Sequence, residues 1–448
     1  MFDGLEVSAE EMFIKLLSSA LDLTRPLHPL HHKQTAYLSL KIASAMGLPE
    51  NNQQELFFAS LIHDAGLLWG EEEDMADLLE QSAPIPWRHC LLAYLLLKDV
   101  PLLKALAPNM PRIILYHHTR WADIDKPESS PFLSEMMKFT QGEIPLESFI
   151  LYLAGVVSWA INPMRPILPQ VEEIRERIKG FSGYLFPKEI VDAFMEVSSK
   201  EALWLDLTSP FLEEILLQTY PFPQYVLNKK EVVISISEIF CSFVDCKSQY
   251  TASHSRAVSA VAEEIGKLLS LPEREVEMLR VAGSLHDLGK LGLPNTIIEK
   301  AGKLTDEELA LVKAHPYQAY IVLSRIRNFE RIKDAAGFHH ERLDGSGYPL
   351  HLKGEGIPLE ARIMAVADVF SALREKRPYR PVLDTREIVR LMEREAMEGR
   401  FDREIMSVLT SHREEIDACF IEVYISSMRR YQEKLLTLSH FIGGGKSL

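Results

Sequence analysis

Five histidines and two aspartates in the second half of this 448-residue chain are the side chains best suited to chemistry: His254, His286-Asp287, His315, His339-His340 and Asp368. Asp368 falls inside the apolar helical stretch ARIMAVADVFSAL, and His286-Asp287 follows the helical face Val276, Leu279, Ala282, Leu285. A carboxylate in such surroundings is costly to bury unless something positive pairs with it. Imidazoles and carboxylates gathered near apolar helices make a poor core and a good metal ligand set. The mixture suits Fe, Mn, Zn or Ni better than Ca or Mg. A carboxylate can also bridge two ions, which an imidazole cannot. Two divalent ions ~3.5–4 Å apart can clamp a phosphodiester and supply a nucleophile near neutral pH. That chemistry needs no Ser or Cys nucleophile, and the chain has no GxSxG motif.

The elements that must position these groups read as helices. EIFCSFV, AVSAVAEEIGKLLSL and EVEMLRVAGSL carry apolar residues at three- and four-residue intervals. LTDEELALVKAH predicts a helix with Thr305 as N-cap and Glu308 closing a capping box. Two-residue alternation is scarce, and neither GxGxxG nor GKS follows a strand-like run. The expected fold class is therefore all-α, with one small hairpin near Gly345–Gly356.

Composition sets outer limits. Hydrophobic residues are 47% and charged residues 25%, which fits a globular protein with a real core. Lys and Arg number 49 against 64 Asp and Glu, a net charge of −15, so DNA, RNA and anionic lipid are repelled at long range. Four cysteines make no disulfide framework. The N-terminus lacks a signal-peptide pattern, and the longest strongly apolar run, Ile150–Ile161, falls short of the ~20 residues of a membrane span. These features predict a reduced, cytoplasmic protein.

The chain also resembles itself. LIHDAG at Leu61–Gly66 parallels SLHDLG at Ser284–Gly289. Each has Leu-Pro-Glu starting 15 residues before its histidine, at Leu48 and Leu271, and a further histidine 32 residues before it, His31 and His254. Downstream, His89 parallels His315 and His117-His118 parallels His339-His340. The proline-containing stretch Thr219–Asn228 is the expected linker. Two tandem domains are predicted, 1–222 and 223–448.

HDLGK (His286–Lys290), HHERLDGSGYP (His339–Pro349) and ARIMAVADVFSAL…RPYR (Ala361–Arg380) resemble the HD-GYP family of bacterial cyclic-dinucleotide phosphodiesterases, within the HD superfamily of metal-dependent phosphohydrolases. The resemblance implies a helical HD-type fold and two divalent metal ions, Fe or Mn first, with Zn or Ni as the other candidates. It implies that His254, His286, Asp287 and Asp368 hold one metal, that His315, His339 and His340 complete the second, and that Asp287 bridges. Lys290 would sit by the scissile phosphate, and Gly347, Tyr348 and Pro349 would form the pocket lip. Arg377 and Arg380 would contact the substrate, within a basic cluster that also includes Arg374 and Lys376. Two departures stand out. Tyr250 occupies the position where some members place a glutamate for a third metal, and Ser371 replaces a second aspartate.

The first half keeps His31, His63, Asp64, His89, His117 and His118, yet Leu67 replaces the lysine, GYP is absent, and Gly155 stands where the last aspartate belongs. It is expected to be non-catalytic, with a regulatory or dimerisation role and metal binding left open. The implied substrate is cyclic di-GMP, opened to the linear dinucleotide and on to mononucleotide. The 3′,3′-cyclic GMP-AMP hybrid is the nearest alternative. A receptor or scaffold that binds the dinucleotide without hydrolysis is the reading from another class. A homodimer and any protein partners are left open.

Overall fold

The computed structural model describes residues 9–24, 28–69, 87–127, 130–219, 229–248, 253–375 and 382–442. Every regular element among the described residues is helical, and the nearest approach to a strand is an isolated bridge between Ser182 and Phe186. The expected all-α class is thus observed. The hairpin expected near Gly345–Gly356 is not. That segment is a loop ending in a single 3-10 turn at Gly354–Gly356. Its backbone groups have partners other than a ladder: Leu343 N–H donates to Arg400 O, and Gly354 N–H donates to Leu343 O. The Leu350 and Leu352 N–H groups donate to the buried Glu341 carboxylate.

The chain divides into two compact units, Ala9–Tyr225 with Leu438–Leu448, and Val226–Thr437 with Met1–Ser8. Apart from Thr219, the predicted linker lies outside the described residues. In the second unit, helix His254–Leu268 packs on Glu273–Leu285 and Leu359–Arg374. Helix Glu330–Gly337 packs on His315–Ser324, Glu273–Leu285 and Leu359–Arg374, and His315–Ser324 also meets the 3-10 turn Leu288–Gly292. The predicted face Val276, Leu279, Ala282, Leu285 is buried in this core with Val258, Val261, Met364 and Val366.

The first unit repeats the order. Helix His31–Ala45 packs on Glu50–Ile62 and Leu146–Ala160, and Trp87–Leu97 meets the 3-10 turn His63–Trp69. Helix Met110–Leu115 packs on Trp87–Leu97, Glu50–Ile62 and Leu146–Ala160.

The recurring Leu-Pro-Glu has a local cause. Pro49 and Pro272 are extended N-cap residues with ψ near 148° and 142°, and each is followed by a helix carrying glutamate in its first turn. Proline fixes the entry angle, and the carboxylate faces the positive end of the helix dipole. The predicted Thr305 capping box is also present. Glu308 N–H donates to Thr305 Oγ1 at 3.2 Å, and Thr305 N–H donates to Glu308 Oε2 at 2.7 Å.

Candidate metal centre and active site

His254 opens one helix, and His286-Asp287 sits where the Glu273–Leu285 helix ends. His315 opens another, His339-His340 follows the Glu330–Gly337 helix, and Asp368 projects from the middle of Leu359–Arg374. These ends converge. His254, His286 and Asp287 each present a ligand atom within 4.8 Å of the others, and His315, His339 and His340 form a second such group.

Asp287 stands between the groups. Its Oδ2 is 3.4 Å from His286 Nε2 and 3.6 Å from His254 Nε2, and its Oδ1 is 3.4 Å from His315 Nε2. Asp368 joins them, with Oδ1 3.2 Å from His254 Nε2 and Oδ2 3.8 Å from His340 Nδ1.

The backbone decides which ring nitrogens are offered. His286, His315 and His339 each place Nδ1 against the carbonyl three residues earlier, on Gly283, Val312 and Ala336, at 2.8, 2.6 and 2.6 Å. An Nδ1–H held this way leaves Nε2 as the lone-pair donor, which is the tautomer a metal needs. His254 Nδ1 instead faces both oxygens of the Glu375 carboxylate at 3.2 Å.

The electrostatics favour a cation. Burial opposes ionisation of Asp287, yet His286, Lys290, His315 and His254 hold its carboxyl well below the usual range. Burial also works against a charged His254, but Glu375, Asp368 and Asp287 push it up to about 10. Burial and neighbouring positive groups hold His339 and His340 well below the usual imidazole range, so both are neutral. The Nε2 atom of His286 is buried with no hydrogen-bond partner. Two buried aspartates among converging imidazoles, one with an unpartnered Nε2, fit a divalent metal site and fit no ordinary core.

Around this centre, Lys290 Nζ donates to Asp287 Oδ2 at 2.7 Å from a half-buried position. Gly289 permits the close approach that brings His315 to the site, because a Cβ there would lie 2.1 Å from the His315 carbonyl oxygen. Gly347 is buried, and a Cβ on it would strike the backbone of His340, Glu341 and Arg342. Tyr348 lies with its ring 4.8 Å from that of His340, and Tyr348 and Pro349 are half-buried at the edge. Arg374, expected in a basic substrate cluster, is instead paired with Asp417 at 2.7 Å. Lys376, Arg377 and Arg380 lie outside the described residues, as does Tyr250.

Three contributors escaped the sequence reading. Glu375 orients His254, and its signal was a carboxylate two helical turns beyond Asp368. Glu341 anchors the loop after the double histidine. Buried Lys247 donates to the carbonyls of Leu291 and Leu293, both at 2.6 Å, and so holds the turn after His286-Asp287; no local pattern announces it.

A helical scaffold that converges histidines and aspartates on a metal-binding centre defines a metal-dependent phosphohydrolase of the HD class, and residues 238–405 match the HD domain family model. The chain is 31% identical over 397 residues to 3′3′-cGAMP-specific phosphodiesterase 1 of Vibrio cholerae, covering 86% of this chain and 87% of that one. It belongs to the HD-GYP family of cyclic-dinucleotide phosphodiesterases. The cyclic di-GMP phosphodiesterase response regulator RpfG of Xanthomonas campestris is 46% identical over 241 residues, covering 53% of this chain and 57% of that protein. A crystal structure of the V. cholerae cyclic GMP-AMP-specific phosphodiesterase V-cGAP3 shares the fold, with a TM-score of 0.61 at 24% identity over 91% of this chain and 98% of that one. Among the described residues, no helix is long and apolar enough to cross a membrane.

Proposed function

We propose that the second unit opens a 3′,3′-linked cyclic dinucleotide to its linear form, with 3′3′-cyclic GMP-AMP as the preferred substrate. The observation that carries the chemistry is the bridging position of Asp287, whose two oxygens face two separate groups of imidazole donors. His254, His286, Asp287 and Asp368 would hold one divalent ion, and His315, His339 and His340 would complete the second with Asp287 in common. The ligand types admit Fe, Mn, Zn or Ni, and the family resemblance puts Fe or Mn first.

Bound ions would supply Lewis-acid polarisation of the phosphodiester and a nucleophile at neutral pH. The chain's own groups do the rest. Glu375 holds the His254 ring in place through Nδ1. Lys290, at the open side of Asp287, would neutralise charge on the phosphate as the P–O bond to the leaving ribose oxygen breaks. Tyr348 and Pro349, on the loop pinned by Glu341, would bound the pocket, with Arg377 and Arg380 contacting phosphate or base edges. The first unit would be non-catalytic. The activity would be cytoplasmic.

Two relatives that align over most of this chain support the substrate assignment: phosphodiesterase 1, and 3′3′-cGAMP-specific phosphodiesterase 3 of V. cholerae, 27% identical over 84% of this chain and 89% of that one. Cyclic di-GMP is the second reading, favoured by the higher 46% identity to RpfG over about half the chain. Comparing kcat/KM for the two dinucleotides on metal-loaded protein decides between them. A ratio favouring cyclic di-GMP reverses the order, and binding without turnover of either would replace the enzyme by a receptor.

A further inference from the structure

The first unit holds a second collection of ligand-type side chains whose arrangement is more complete than its sequence suggests. His31, His63 and Asp64 present ligand atoms within 4.8 Å of one another, and so do His89, Cys90, His117 and His118. Asp64 stands between the groups as Asp287 does in the other unit. Its Oδ2 lies 3.4 Å from His31 Nε2 and 3.2 Å from His63 Nε2, and its Oδ1 lies 3.9 Å from His89 Nε2. The ring nitrogens are again sorted by the backbone. His63 Nδ1 faces Ser60 O at 2.9 Å and His117 Nδ1 faces Ile114 O at 2.6 Å, which leaves each Nε2 turned inward.

The missing second carboxylate, replaced by Gly155, would leave the first group one donor short. His32 supplies a donor from another direction. Its Nε2 points at the same Asp64 oxygen, 3.8 Å away, and its ring lies 5.2 Å from that of His63. On the far side, His32 Nδ1 meets Asp22 Oδ1 at 2.7 Å, and Lys33 Nζ donates to Asp22 Oδ2 at 3.1 Å. A carboxylate behind an imidazole fixes its tautomer and strengthens it as a ligand. His32 is fully buried, yet its Nε2 has no hydrogen-bond partner. The same holds for His117 Nε2 and for both ring nitrogens of His118. A buried polar atom left this way is costly, and a cation would engage one nitrogen of each of these rings.

We propose that the first unit is a closed structural metal site: a pair of divalent transition-metal ions bridged by Asp64, one held by His31, His32 and His63, the other by His89, His117 and His118. Closure separates it from the other centre. None of these seven residues is more than 6% exposed, whereas in the second unit the His340 and Lys290 side chains are 20% and 22% exposed. Structural metal sites are sealed, and catalytic ones keep an open position. Leu67 also removes the cation that would meet a phosphate. A set of imidazoles with one shared carboxylate suits Zn(II) better than Mn(II). Metal bound only by the folded unit stabilises it.

The test uses the full chain carrying His286→Ala, Asp287→Ala, His315→Ala and His339→Ala, so that both ligand groups of the second unit lose their donors. The protein is stripped with a chelator and titrated with Zn(II) alone, and metal content and thermal unfolding are measured. The expected result is a pair of zinc ions per chain and a zinc-dependent rise in melting temperature. Adding His32→Gln should lower the zinc retained, and Asp22→Asn should weaken zinc binding about 10–100-fold while leaving His32 in place. Should His32→Gln fail to fold, Asp22→Asn decides alone. A parent that retains no zinc, or an Asp22→Asn variant that binds it unchanged, overturns the proposal. The proposal does not rest on the activity assigned to the second unit. Zinc held here, alongside an unsubstituted metal-loaded chain that hydrolyses neither dinucleotide, would sink that assignment and leave this one standing.

Discussion

In the second unit the Nδ1 of His254 faces the Glu375 carboxylate at 3.2 Å, while in the first the Nδ1 of His31 faces the Ser158 hydroxyl at 2.9 Å. The two histidines open equivalent helices and sit beside equivalent aspartates, so the scaffold is held in common and the charge is not. Asp287, Asp368 and Glu375 surround His254, with Lys290 at the rim. Around His31 the structure offers Asp64 and imidazoles, with Gly155 and Leu67 at the positions of Asp368 and Lys290. Packing between helices is preserved by apolar residues that know nothing of the chemistry. A duplicated fold can therefore keep its architecture in both units and concentrate negative charge in one.

The largest test of that contrast is to remove corresponding groups. Asp287→Ala should reduce turnover to below about one thousandth of wild type, the scale expected when an electrostatic element at the reacting centre is lost, and His286→Ala should behave alike with lowered metal content. His63→Ala should keep most of the turnover. Equal losses from His63→Ala and His286→Ala, measured on folded protein, would mean that the first unit takes part in the chemistry.

A smaller effect should come from the group behind the ligand. Glu375→Gln keeps the shape and removes the charge facing His254, and should cost about 10–100-fold in metal affinity or activity. Ser158→Ala, the counterpart in the first unit, should leave turnover near wild type. The readout that excludes a merely structural role is rescue: raising the metal concentration should restore kcat to Glu375→Gln. Smaller still, Arg377→Ala should raise KM more than it lowers kcat, because its assigned contact is with bound substrate. A pure kcat loss would move that residue into the bond-breaking step.

Much of this contrast was legible in residue types and offsets. The HD pairs, the doubled histidines and the Leu-Pro-Glu helix starts mark the same helix ends in both units, because a helix start and a metal ligand are both set by a few adjacent residues. Glu375 left only its spacing from Asp368 as a signal, and Glu341 and Asp22 were not legible, since each acts across a distance that only the folded chain closes. His32 was not singled out beside His31, and on a helix neighbouring residues point about 100° apart, so adjacency alone is no sign that both face one site. The structure resolves this by letting both rings reach the same Asp64 oxygen from different sides. The expected hairpin failed because Gly345 and its neighbours were read as turn residues between strands. Instead, Gly345 N–H donates to Arg342 O, Gly354 N–H to Leu343 O and Leu350 N–H to the Glu341 carboxylate.

The smallest difference in activity should come from a change whose structural cost is the same in both units. Gly66 and Gly289 each follow an HD pair, and a Cβ would lie 1.8 Å from the His89 carbonyl oxygen in one case and 2.1 Å from the His315 carbonyl oxygen in the other. The obstacle is backbone in both, so neither can yield by rotating a side chain. Alanine at either position should destabilise by about 1–3 kcal/mol through overpacking, read as similar drops in melting temperature. Gly289→Ala displaces the carbonyl of a residue assigned to the catalytic centre, so kcat/KM should fall with it. Gly66→Ala displaces His89, which has no part in that centre, and kcat/KM should hold. A matched fall in both would show that the second unit's geometry depends on the first, and the two sites would then have to be treated as one coupled device.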